Sequence, residues 1–258
     1  SVRMAAALLL GSAGLIGAQL VVASSTAFAA RICVHQATVY SYSVMALSLI
    51  MAAAVTPANI VFAPVIAREW RGDTADLAIR AIRTFRFGCL FVVPLVALLF
   101  VVGPEPAAAL LAKLQRAQID ELLLVALILS PSALATLAAV IPELALLTTG
   151  RFRTVATIAA TGLGVHLTVT AVVVAAGGRL PAVAAVSALT ATGIAVAATM
   201  TAAGPDRWTL LRGYATGLAE LVAVAACAYA LKGLLLARGH DVVMDMVAFA
   251  LATALAVA

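Results

Sequence analysis

A chain of 258 residues that is 65% hydrophobic and only 10% charged, with a mean hydropathy of +1.16, carries more apolar surface than a water-soluble core can bury. Lipid is the expected solvent for most of it, and the net charge of +5 reads as membrane orientation rather than a nucleic-acid footprint. Cys33, Cys89 and Cys227 form no CxxC pair, so neither a disulfide framework nor a zinc site is expected, and each reads as a small buried hydrophobe.

Apolar stretches of spanning length recur at about 4–30, 37–66, 85–103, 121–149, 154–176, 181–203, 212–236 and 241–258. A helix needs roughly 20 residues to cross the hydrocarbon, so the pattern predicts about eight transmembrane helices. Strands would alternate apolar and polar residues; these segments are apolar all round, which predicts an all-α polytopic bundle rather than a barrel. The first stretch, SVRMAAALLLGSAGLIGAQL, resembles a signal peptide. Its apolar run continues to about Ala30 without a short cleavage region, so a spanning helix is expected. The opening on Ser rather than Met suggests a fragment or a processed product. Gly11, Gly14 and Gly17, and later Gly162 and Gly164, predict close helix approach in lipid.

The second span closes on TPANIVFAPVIAREW, where Pro57 and Pro64 sit inside an apolar run and read as hinges. Residues 72–86 begin with an Asp-Thr capping signal and set Leu77, Ile79, Ile82 and Phe85 among Arg80, Arg83 and Arg86. That predicts an amphipathic helix lying on a membrane face and running directly into the third span. Residues 104–120 read as a second one. With the N-terminus cytoplasmic, ten of the 16 Lys and Arg fall on the cytoplasmic side and six opposite, which predicts both ends cytoplasmic.

Ionisable groups at membrane depth are the site candidates. Glu143 follows Pro142 within the fourth span, where it is expected near mid-membrane beside a cavity, as an ion-coupling residue or as a structural, protonated carboxyl. Pro142 is a third hinge candidate. His166 and Glu220 read more readily as packing residues. Arg31 and His35 close the first hairpin, where Arg31 either snorkels to headgroups or holds a phosphate with its guanidinium fork. Gln19, the Ser24-Ser25-Thr26 run and Asn59 fit a water-accessible lumen or, equally, hydrogen bonds between helices. No HExxH, GxSxG, phosphate-binding Gly loop or aspartate-rich magnesium motif is present, so catalysis, a metal and a cofactor are not expected.

The order VYSYSVMALSLIMAAAVTPANIVFAPVIAREWRGD, then FVVPLVALLFVVG, LSPSAL and a GRFRT turn resembles the second lobe of the multidrug/oligosaccharidyl-lipid/polysaccharide exporter superfamily. It is most similar to MviN-type lipid II flippases. The matching positions are Tyr40 or Tyr42, Pro64 and Arg68, Gly72-Asp73, Val93-Pro94, and Gly150, Arg153 and Thr154. The resemblance implies a six-helix C-terminal lobe over 1–203 and two additional helices over 204–258, with an N-terminal lobe supplied elsewhere. It further implies alternating-access translocation of a polyprenyl-diphosphate-linked glycan or peptidoglycan precursor in the bacterial inner membrane. Partners would be that substrate, membrane lipids and cell-envelope synthesis proteins, with no nucleic acid. Lipid II flippases carry an arginine in the helix that here reads YSYSVMALSL; its absence removes a diphosphate contact, for which Arg31 is the nearest replacement. The alternatives are a drug/cation antiporter of the same superfamily, disfavoured by the few intramembrane carboxylates, and a non-transporting scaffold for envelope synthesis.

Overall fold

The computed structural model describes residues 13–69, 73–101 and 115–236, and every element among them is helical. The elements are α1 (Ala13–Ile32), α2 (Val34–Glu69), α3 (Thr74–Val101), α4 (Arg116–Thr148), α5 (Phe152–Ala175), α6 (Leu180–Ala203), a 3-10 turn (Gly204–Asp206) and α7 (Arg207–Leu236). The expected span at 241–258 and most of the expected interfacial helix at 104–120 lie outside the described residues. Among those described, three stretches are long and apolar enough to cross a membrane: Arg116–Thr148, Phe152–Ala175 and Leu180–Ala219. A shorter apolar helix covers Ile16–Ile32. The all-helical, membrane-like class is as expected, while the count of eight spans is not confirmed by the described residues.

Successive helices run in alternating directions. Gly17 lies against Ala159 and Ser25 against His166, so α1 and α5 are parallel. Ser43 Oγ donates to the Leu122 carbonyl (3.0 Å) and Tyr40 OH to Ser187 Oγ (3.1 Å), which sets the starts of α2, α4 and α6 side by side. Gly213 meets Ile82 and Gly217 meets Arg86, so α3 and α7 descend together. The starts of α3, α5 and α7 thus share one end of the bundle, with Arg80, Arg83, Arg86, Arg151, Arg153, Arg207 and Arg212 toward it. Arg31, Arg116 and Arg179 mark the other end.

The central helix is α4, which packs against α2, α3 and α6. Its buried Ile119, Leu122, Ala126, Leu129, Ala133, Leu137 and Val140 recur every three to four residues along an inward stripe, which widens around Pro142. Ala184, Ala188, Ala195, Ala198 and Ala202 face inward from α6. Where both solvent and core are apolar, small side chains stabilise a pair by letting backbones approach and dispersion contacts accumulate. One core gathers Leu77, Phe85, Cys89, Leu137, Ile141, Leu146, Leu210 and Tyr214 near the Arg-rich end. A second gathers Ala29, Val39, Tyr40, Leu122, Val125, Leu180 and Ala184 near the other.

Two turns are closed by glycine. After α4 the Gly150 N–H reaches the Leu147 carbonyl (3.1 Å) and the Arg151 N–H the Leu146 carbonyl (2.9 Å), with Gly150 at φ 73°. After α5, Gly177 (φ 78°) and Gly178 bond back to Val174 (3.0 Å) and Val173 (2.8 Å) in the same way. Both are Schellman ends, which need a residue without Cβ in the left-handed region.

One expectation is revised. The amphipathic stretch runs directly into the third span as one helix, Thr74–Val101, as expected, but it does not lie on a surface: Leu77, Ala78, Ala81 and Phe85 are buried in the bundle core. The Asp73 cap is as expected, its Oδ1 accepting from the Ala75 N–H (2.9 Å). Ile79 is 52% exposed because the inward stripe is offset by one position from the one the sequence suggested. The boundary expected at 203/204 falls on the 3-10 turn, where Thr74 Oγ1 donates to Asp206. Beyond it, Leu210 and Tyr214 join the same core as α3 and α4.

Candidate functional site

Each proline inside α4 removes an N–H and leaves the carbonyl four residues earlier without its helical donor. The carbonyl freed by Pro131 is that of Leu127, and Ser130 Oγ donates to it (2.8 Å). Pro142 frees Ala138, whose carbonyl accepts from Tyr214 OH of α7 (2.6 Å). The Pro142 position is therefore tied to a neighbouring helix, and Tyr214 also stacks obliquely on Phe85 with centroids 4.8 Å apart. Glu143 is half-buried beside it. It stands five residues before the last residue of α4 rather than at mid-span, and no hydrogen bond or ion pair joins it to another described residue.

Among the described residues, the other expected site residues do not converge. Arg31 and His35 share the hairpin between α1 and α2, and both are exposed. The Arg31 guanidinium lies over Phe28, 5.8 Å from the ring centroid, and His35 Nδ1 is 3.0 Å from Cys33 Sγ. Cys33 is exposed, against the expectation of a buried thiol, whereas Cys89 is fully buried as expected. Gln19 is exposed on α1, twelve residues before Arg31 and so about 18 Å away along the axis. The side chains of Pro57, Asn59, Pro64, Glu220 and Cys227 lie outside those described; the α2 backbone is helical through both prolines. Among the described residues no cluster of three His, Cys, Asp or Glu could hold a metal.

Instead, the structure assembles a polar knot from residues that looked ordinary one by one. Ser25 of α1, Tyr40 of α2, His166 and Thr170 of α5, and Ser187 of α6 are all buried. Ser25 Oγ lies 3.0 Å from His166 Nε2 and 2.8 Å from Ser187 Oγ, and Tyr40 OH donates to Ser187 Oγ at 3.1 Å. Thr170 Oγ1 is 3.5 Å from His166 Nδ1. Both serine hydroxyls also reach carbonyls of their own helices, Val21 at 2.7 Å and Val183 at 2.9 Å. The knot sits about 10–14 Å inside the Arg31 end, counted along α1, α5 and α6. Buried polar groups hold their place only when bonded, and in hydrocarbon no water competes, so this chain of bonds orients four helices at once. Of the polar stripe on α1, Ser24 and Thr26 bond back to their own helix, and Ser25 takes the helix-bridging role. The available sequence signal was Ser187, isolated in the apolar AVSAL of α6.

A cavity of about 550 Å³ lies between α5 and α6, lined by Val165, Val169, Leu189, Gly193 and Ile194 with hydroxyls from Thr157, Thr161 and Thr190. None of the expected site residues whose side chains are described lines it. Val165, Val169 and Leu189 are exposed, so the cavity is a lateral groove in the outer face of two helices of spanning length.

No protein-family model, curated protein or solved structure matches this chain.

Proposed function

We propose that the chain is the C-terminal part of a membrane flippase that moves a polyprenyl-diphosphate-linked glycan or peptidoglycan precursor by alternating access. The observation that carries this reading is the α5–α6 groove. Its volume is within the range of sites that hold small ligands, its walls are almost wholly apolar, and it opens sideways from two membrane-length helices. A hydrocarbon chain can lie there while the polar end of the same molecule travels elsewhere in the protein. The Arg31 hairpin, with its free fork edge, is the candidate diphosphate contact. The Arg-rich end of the bundle faces the cytoplasm in this reading, in the bacterial inner membrane.

The groove has a clean test. A Cβ built on Gly193 meets nothing within 4 Å, so Gly193→Trp fills the groove without displacing the core. In the protein reconstituted in liposomes with a fluorescent polyprenyl-diphosphate glycan, this variant should translocate about tenfold more slowly, with stability changed by less than about 0.5 kcal/mol. A wild-type rate would remove the groove from the substrate path. Arg31→Ala should weaken translocation as well, and an unchanged rate would remove Arg31 from the mechanism.

A further inference from the structure

We propose that Ser25, His166, Ser187 and Tyr40 form a proton-binding relay whose protonation state is linked to separation of the α1–α5 pair from α2 and α6. The ligand is the proton itself. The proposal deepens the transport reading by naming the ion that would drive it, and rests on that reading only for the use made of the motion.

The argument is a count of hydrogens. Tyr40 OH spends its proton on Ser187 Oγ. Each serine then has one proton and a choice of acceptors: forward along the chain, or back to a carbonyl of its own helix. With neutral imidazole bearing its proton on Nδ1, the bonds run one way, from Tyr40 to Ser187 to Ser25 to His166 Nε2. Thr170 Oγ1, 3.5 Å from Nδ1, is the partner on the far side of the ring. With imidazolium, Nε2 becomes a donor to Ser25 Oγ. Ser25 turns its proton to the Val21 carbonyl, and its second lone pair still takes the proton of Ser187. One hydroxyl rotation absorbs the change, and no buried group is left without a partner.

The hydroxyls accommodate the added proton, but they supply no counter-charge for it. Among the described residues, no carboxylate bonds the imidazole. Helix α6 carries no ionisable side chain, α1 only Arg31 and α5 only Arg153 besides His166. From α2 the groups are His35, Tyr40 and Tyr42, with Arg68 and Glu69 at its far end, and from α4 Arg116, Asp120, Glu121 and Glu143. Tyr40 is the one of these bonded into the knot. Water entering the seam is then what solvates the charge, so proton uptake and seam opening favour each other by linkage.

The experiment uses the whole protein in lipid nanodiscs, with Cys33, Cys89 and Cys227 replaced and spin labels at the exposed Leu20 of α1 and Leu49 of α2. Distance distributions are recorded between pH 8.5 and 5, alongside nitrogen NMR of labelled histidine. The His166 resonance is assigned by its loss in His166→Gln. The expected result is that His166 gains a proton in this range and a longer-distance population grows with it. In His166→Gln the distances should no longer respond to pH. Tyr40→Phe keeps the imidazole but removes the terminal donor, and should shift the midpoint of both readouts together. A His166 that stays neutral throughout overturns the relay. So does a protonated His166 with unchanged distances, or a pH response that survives His166→Gln. Coupled protonation and opening in a protein that moves no lipid-linked glycan would uphold the relay and overturn the flippase reading instead.

Discussion

Tyr214 shows how a single hydroxyl can stand in for a missing backbone donor. Its bond to Ala138 exists because Pro142 cannot make one, so the two residues should act as a unit. Tyr214→Phe is expected to lower stability by about 1–3 kcal/mol, the range for leaving a buried acceptor unsatisfied. In a Pro142→Ala background the helical N–H returns, and the same substitution should cost well under half as much. Chemical denaturation of the four proteins of this cycle in detergent measures the coupling directly. The pairing also explains what was legible at this scale. That Pro142 frees a carbonyl follows from the covalent structure of proline; that a tyrosine 72 positions later supplies the hydrogen depends on where α7 packs, which no local pattern carries. The knot around His166 is the same case. Its members lie on four helices, each the polar exception in an apolar run. Sequence shows the exceptions and leaves open whether they face water or one another.

Among elements, the helices themselves were plain from apolar runs and their Gly and Pro punctuation, and the bounds of α5 and α6 fall within two residues of the expected ones. The first half of α3 was harder to place. A stripe of Leu and Ile among arginines is compatible with a headgroup surface or with a bundle whose end lies at that surface; burial of Leu77 and Phe85 decides for the bundle. Two tests belong here. Gly150→Ala puts a Cβ at φ 73° and should destabilise the α4–α5 end by about 1–2 kcal/mol, read as a lowered unfolding midpoint. Gly88 faces Leu137 so closely that a built Cβ lies 2.5 Å from it, on the side chain α4 presents to α3. Gly88→Val should overpack that contact and cost about 1–3 kcal/mol by the same measurement, while Gly164→Ala, with open space around it, should be nearly neutral.

For the molecule as a whole, the alternation of seven described helices places Cys33 at the end opposite the Arg-rich one and Cys89 inside the bundle. With Cys227 replaced by Ala, a membrane-impermeant maleimide added outside intact cells should modify Cys33 and leave Cys89 untouched. Labelling of Cys33 only from the cytoplasmic side would invert the proposed orientation.

The join between α1 and α2 has a mechanical consequence. Cys33 alone separates Ile32 from Val34, and one residue spans no more than about 3.6 Å. The two helices cannot part at that end. Any spreading between them must grow from that point like the arms of tweezers, widest where α1 begins. Displacements there are levered from the knot, which lies closer to the pivot than to the tips. A parting of α1 from α6 at the knot would therefore be magnified at the Arg-rich face.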